Sequence, residues 1–124
     1  DITGLAECSN LCVFSSRLEG CPNAVLECMA AGLPVVGTDI PGIREAVGPD
    51  NFGFLASPGD AALLAARILL MARDPALQQT VGHKNRHRVA TVFSVDGMCA
   101  QATALITSIL NTGPAGKSRP QLAG

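Results

Sequence analysis

The sequence predicts an α/β fold in which a thin parallel sheet of about three strands is flanked by helices. Short apolar runs recur at Leu11-Cys12-Val13-Phe14, at Val35-Val36-Gly37-Thr38 and from Phe52 to Ala56. Each is followed by a loop containing Gly or Pro and then by helical periodicity, the alternation that parallel strands need for their crossovers. The 124 residues are 48% hydrophobic. That suffices for one domain burying about two thirds of its unfolded surface, and not for two separate cores.

Ile2 to Asn10 reads as the tail of a short helix, and Leu11 to Phe14 as a strand buried on both faces. Ser15-Ser16-Arg17-Leu18-Glu19-Gly20-Cys21 is a polar loop, after which Pro22, with its preset φ, opens a helix running to about Ala31. Gly32 suits the left-handed position that ends it, and Pro34 prevents continuation into the second strand. Asp39-Ile40-Pro41-Gly42 forms a loop, Ile43 to Val47 a short helix, and Gly48-Pro49-Asp50-Asn51 a break before the third strand. Asp60 caps a helix in which Leu63, Leu64, Ile68 and Met71 recur, and Asp74-Pro75 starts another that lasts to about Val89. Ser94 caps the last helix, with Val95, Met98, Ala102, Leu105, Ile106 and Ile109 as its apolar stripe. Residues 1–110 read as one domain. From Asn111 to Gly124, Gly, Pro, Lys and Arg replace any periodicity, which predicts a disordered tail. A parallel sheet beginning so near the N-terminus looks like the second half of a larger dinucleotide-type, Rossmann-like fold.

Nine Lys and Arg balance ten Asp and Glu, so a net charge of −1 exerts no overall pull on nucleic acid or an anionic membrane. The four aromatics are all Phe, which removes a base-stacking platform, and no nucleic-acid partner is expected. The first residues lack the charged and apolar regions of a signal peptide. The densest apolar stretch, Ala61 to Ala72, is interrupted by Arg67 and too short to span a bilayer, so no transmembrane segment is expected, which leaves room for peripheral membrane contact. Five cysteines at irregular spacing (Cys8, Cys12, Cys21, Cys28, Cys99) suit reduced core thiols and a cytoplasmic setting better than a disulfide framework. No C-x-x-C pair occurs, and neither the cysteines nor His83 and His87 form a metal-binding pattern.

The chemistry concentrates between Glu19 and Val36. Glu19 stands in the loop leaving the first strand, and Glu27 lies about 7.5 Å along the helix axis from Pro22. Both flank the carboxyl edge of the sheet, where ligands of open α/β folds bind. The helical neighbours of Glu27 are Asn23, Ala24, Ala30 and Ala31, all small or short, so its carboxylate is open to close approach and can accept two hydroxyls of a cis-diol such as a ribose. Gly20 lets a ligand approach the backbone, and the helix N-terminal amides that follow can face phosphate oxygens. The competing reading pairs Glu27 with Arg17 or Arg44 and leaves Glu19 as a solvated loop carboxylate.

The same stretch resembles the E-x7-E region of retaining GT-B glycosyltransferases, especially those of glycosyltransferase family 4. Ser16, Glu19-Gly20, Pro22-Asn23, Leu26-Glu27, Met29-Ala30-Ala31-Gly32, Pro34-Val35-Val36, Thr38-Asp39 and Gly42 fall where that pattern has them. Gly53-Phe54-Leu55, Pro58-Gly59-Asp60 and Phe93-Ser94 extend the likeness over roughly residues 1 to 110. The resemblance implies the second half of a GT-B C-terminal domain, serving a hexosyl transfer from a nucleoside diphosphate sugar with retention. It implies that Glu27 holds the donor ribose, that Glu19 lies by the reacting centre, and that the backbone around Gly20, Cys21 and Asn23 contacts sugar and phosphate. No metal or cofactor is implied, and the chain holds no D-x-D pair. The family's acceptor-binding domain, and the basic pair that neutralises the donor diphosphate, would precede Asp1. The isolated chain is therefore expected to bind donor weakly and to transfer nothing.

Other residues keep two readings. Cys21 is either a thiolate favoured by a helix N-terminus or a small filler. Arg17 and Arg44 either orient the donor or pair with Glu19 or Glu45. The basic run from His83 to Arg88 either touches phosphate or is a solvated helix face. Alternatives for the whole chain are another GT-B enzyme, such as a nucleotide-sugar epimerase, and a non-catalytic fragment or interaction module whose first strand offers an edge.

Overall fold

The computed structural model describes residues 2–18 and 23–112. In order along the chain it forms α1 (Ile2–Glu7), β1 (Cys12–Phe14), α2 (Asn23–Ala30), β2 (Val35–Thr38), α3 (Pro41–Val47), a 3-10 turn (Pro49–Phe54), β3 (Leu55–Ala56), α4 (Ala61–Ala72), α5 (Pro75–Val92) and α6 (Val95–Thr112). The three strands make one parallel sheet of order β1-β2-β3, with Cys12 opposite Val35 and Gly37 opposite Leu55. This is the partial Rossmann-like layer that the alternation of strand and helix predicts.

Successive residues of β2 point to opposite faces, and each face has its own core. Val35 packs with Val25, Cys28 and Met29 of α2 and Ile43, Ala46 and Val47 of α3. Val36 packs with Met71 at the end of α4 and Val81 of α5. All four residues of β2 are buried. β1 departs from expectation: Val13 is 44% exposed, and Cys12 and Phe14 are only half-buried. As the edge strand of this sheet it is covered less than the central one.

The third strand is also shorter than expected, because Pro49–Phe54 winds into a 3-10 turn and leaves only Leu55 and Ala56 extended. The half-buried Phe52 packs against the α2 and α3 core, and Arg44 stacks 3.8 Å above its ring centroid. α3 starts at Pro41, where the missing N–H costs nothing, and not at Ile43. α6 runs through Asn111 and Thr112, so the predicted tail begins too early; residues 113–124 lie outside the described residues.

Two compact units divide the chain, Asp1–Thr91 and Val92–Gly124. In the second, α6 opens on Ser94, whose hydroxyl accepts the Gly97 N–H at 3.0 Å, and its stripe of Val95, Met98, Leu105, Ile106 and Ile109 is exposed. By length and composition alone, one window in the helical stretch Pro75–Asn111 could cross a membrane, which the reading of Ala61 to Ala72 as the most apolar segment overlooked.

α5 is the least obvious element. Its sequence is polar, and it buries only Val81, Gly82 and Asn85. Val81 packs with Val36 and Met71, while Gly82 and Asn85 meet the chain where α2 ends and β2 begins, at the amino edge of the sheet. Gly32 turns there with φ of 81°, and a Cβ on Gly82 would run into the Gly32 carbonyl oxygen. Beside this contact the Asn85 amide donates to Leu33 O at 2.8 Å and accepts from Asn51 Nδ2 at 3.0 Å, while Asn51 Nδ2 also donates to Val47 O at 3.0 Å. Gly82→Ala is expected to lower stability by about 1–3 kcal/mol through overpacking, despite alanine's better helix propensity. Denaturant unfolding checks this, and a raised midpoint would contradict it.

Candidate functional site

The carboxyl ends of the strands open onto a cleft of about 190 Å³ lined by Ser15, Arg17, Thr38, Ser57, Gly59 and Asp60. Its floor is tied together by backbone and hydroxyl bonds. The Thr38 hydroxyl donates to Ser16 O, joining β2 to the loop after β1, and the Asp39 N–H donates to Ala56 O at 2.7 Å, joining β2 to β3. Asp60 caps α4, its carboxylate accepting the Leu63 N–H at 2.9 Å. The sequence pattern included Thr38 and Gly59-Asp60 but not the hydroxyls of Ser15 and Ser57, for which the rule that ligands meet the carboxyl ends of strands was the available signal.

Asn23 and Glu27 lie four residues apart on α2, both exposed, and therefore share one face of the helix. Among the described residues the Glu27 carboxylate has no hydrogen bond or ion pair. The proposed partner Arg44 is committed elsewhere: its Nη1 reaches both Asp39 oxygens, at 2.8 and 2.7 Å, while its guanidinium covers Phe52. Arg17 is exposed and lines the cleft. Glu19, Gly20, Cys21 and Pro22 lie outside the described residues.

The basic run on α5 neither faces the cleft nor stands wholly in solvent. Arg86 donates from Nε to Ala30 O at 3.2 Å and from Nη2 to Ala31 O at 2.8 Å. Arg88 donates to Ala46 O and Glu45 O, both at 2.8 Å. Each arginine thus closes the carboxyl end of a helix, where cations are favoured.

The cysteines divide by position. Cys28 is buried, Cys12 half-buried, and Cys8 and Cys99 are exposed, so the expectation of core thiols fails for the last two. The Cys12 thiol is pushed up to about 12, first by burial and then by the neighbouring Cys28 thiol. Among the described residues no group of three or more His, Cys, Asp and Glu side chains converges on a metal position. Because the folded thiol stays protonated where an unfolded one near 9.0 ionises, its contribution to stability is complete below pH 9.0 and is lost as pH rises towards 12. The melting temperature should therefore fall across that window, with a smaller slope in Cys12→Ala, and iodoacetamide at neutral pH should label Cys12 more slowly than Cys8. Equal slopes in parent and variant would contradict this.

Residues 1–74 match the family of glycosyl transferases group 1. A capsular polysaccharide biosynthesis glycosyltransferase from Staphylococcus aureus is 34% identical over 85 residues, which cover 68% of this chain and 22% of the relative. The N-acetyl-alpha-D-glucosaminyl L-malate synthase of Bacillus anthracis is 26% identical over 94% of this chain and 31% of its own. Among solved structures, sucrose-phosphate synthase from Thermosynechococcus elongatus, a GT-B protein, superposes with a TM-score of 0.75 at 30% identity, covering 88% of this chain and 27% of that one. The chain belongs to the group 1 glycosyltransferases and carries part of their GT-B fold. It spans 22% and 31% of the length of the two curated relatives named.

Proposed function

We propose that this chain supplies part of the donor site of a glycosyltransferase that moves a hexosyl group from a nucleoside diphosphate sugar to an acceptor with retention. The observation that carries this reading is the Glu27 carboxylate, exposed and unpaired among the described residues, on the same helix face as Asn23. A carboxylate without a cation beside it can accept both hydroxyls of a ribose without first breaking an ion pair. In this reading Glu27 holds the ribose, Glu19 lies by the reacting centre, and Gly20, Cys21 and Asn23 contact the sugar and diphosphate. Arg17, on the cleft wall, orients the diphosphate. Residues 1–110 act as the nucleotide-sugar part, and an acceptor-binding domain completes the enzyme. The free thiols fit a reducing, cytoplasmic setting.

A helix N-terminus contributes about 0.3–2 kcal/mol towards an anion. Even millimolar affinity needs about 4 kcal/mol. The chain alone is therefore expected to bind donor weakly and to show no transferase turnover. Ligand-observed NMR with UDP-, GDP- and ADP-glucose tests the site: weak binding by the parent, with a dissociation constant of about a millimolar or higher, should vanish in Glu27→Ala. A folded parent that binds none of the three, or a variant that binds as well as the parent, would overturn the reading.

A further inference from the structure

We propose that Arg86, far along the chain on α5, is a positioning residue for α2, fixing the helix that carries Asn23 and Glu27; its consequence for ligand binding rests on the donor-site reading above. The case comes from the end of that helix. α2 has eight residues, little more than two turns, too short to persist without tertiary support. Its last carbonyls need partners from outside the helix. The Glu27 carbonyl accepts the Ala31 N–H at 3.0 Å, Cys28 the Leu33 N–H at 3.1 Å and Met29 the Gly32 N–H at 2.9 Å. That leaves Ala30 and Ala31, and both are taken by the Arg86 guanidinium.

Arg86 therefore completes the carboxyl end of α2, and it does so on the turn directly after Glu27. Ala30 and Ala31 stand three and four residues beyond that glutamate, about 4.5–6 Å along the axis. No ion pair joins Arg86 to Glu27, since the ion pair among the described residues is Arg44 with Asp39. The influence is mechanical: a two-turn rod held at one end presents its side chains at a fixed height at the other. Close contact of Gly82 with Gly32 brings α5 near enough for the reach. Arg86 is itself exposed, so removing its head group leaves the two carbonyls open to water and the core untouched.

Arg88 provides an internal control. It closes α3 with the same pair of guanidinium bonds from the same helix, but α3 carries neither Asn23 nor Glu27. Arg86→Met and Arg88→Met, which keep the aliphatic stems, should each remove one clasp. Amide hydrogen exchange without ligand reads the mechanical effect: α2 should exchange about tenfold faster in Arg86→Met with α3 unchanged, and the reverse in Arg88→Met. Titration with the tightest of the three nucleotide sugars reads the consequence, about three- to tenfold weaker binding in Arg86→Met, near-parental binding in Arg88→Met, and recovery in Arg86→Lys. Unchanged α2 exchange in Arg86→Met, or equal loosening and equal weakening in both variants, would overturn the proposal. So would a loosened α2 with unaltered donor affinity. Selective loosening of α2 in a parent that binds no nucleotide sugar would sustain the positioning role and overturn the donor reading instead.

Discussion

Backbone contact between Gly82 and Gly32 sets the spacing on which the rest of the first unit depends. A side chain on Gly82 would hold α5 away from the turn between α2 and β2. Without that approach Asn85 could not reach Leu33 O, and Asn51, which bonds both Asn85 and Val47 O, would lose its partner on α5. Asn51 and Asn85 are 5% and 1% exposed, and a buried amide left without partners costs about 1–3 kcal/mol. The apolar contacts follow the same geometry. Val81 and Leu77 join the core on the α4 face, while Val89 joins the core on the α2 and α3 face. A helix with little apolar stripe of its own thus closes both layers by crossing the sheet's amino edge.

This arrangement gives the two edges of the sheet different tasks. At the amino edge, α5 contributes a close glycine contact, a buried amide network and two arginine clasps. At the carboxyl edge, the loops after β1, β2 and β3 surround a cleft and are tied by a few bonds, such as Thr38 to Ser16 O and Asp39 to Ala56 O. Elements held firmly at one end and joined by loops at the other suit a binding site, because the scaffold fixes where the loops start while leaving their chemistry free to vary. The sheet alone could not provide that rigidity: its strands have three, four and two residues, and β1 is left partly open.

Periodicity made the order of elements legible, since apolar runs and helical spacing are local properties of the chain. The shared face of Asn23 and Glu27 was legible for the same reason. What could not be read were features set by partners distant in sequence. Burial of β1 depends on which strand occupies the edge, and the shortening of β3 depends on Phe52 folding back under Arg44. The arginines of α5 looked like a solvated face because their acceptors are carbonyls 55 and 56 residues away for Arg86 and 42 and 43 away for Arg88. Backbone acceptors leave no mark on a sequence. Gly82 was the one available clue, a glycine inside a helix that lowers its propensity and so asks for a packing reason.

The allocation of cations explains why Glu27 stays unpaired. Arg44 is locked onto Asp39 and Phe52, Arg86 onto the end of α2, and Arg88 onto the end of α3. Each of these guanidiniums satisfies a partner that would otherwise lack one, so none is drawn towards the α2 surface. Arg17 stands instead on the cleft wall formed by the strand ends. Glu27 on α2 and Arg17 on the cleft wall thus stand on separate elements, with no bond between them among the described residues, and Glu27 is not among the residues that line the cleft. Under the donor reading proposed above, a diol meeting Glu27 would displace no cation, because every guanidinium that could have paired with it already serves another acceptor or stands on the cleft wall.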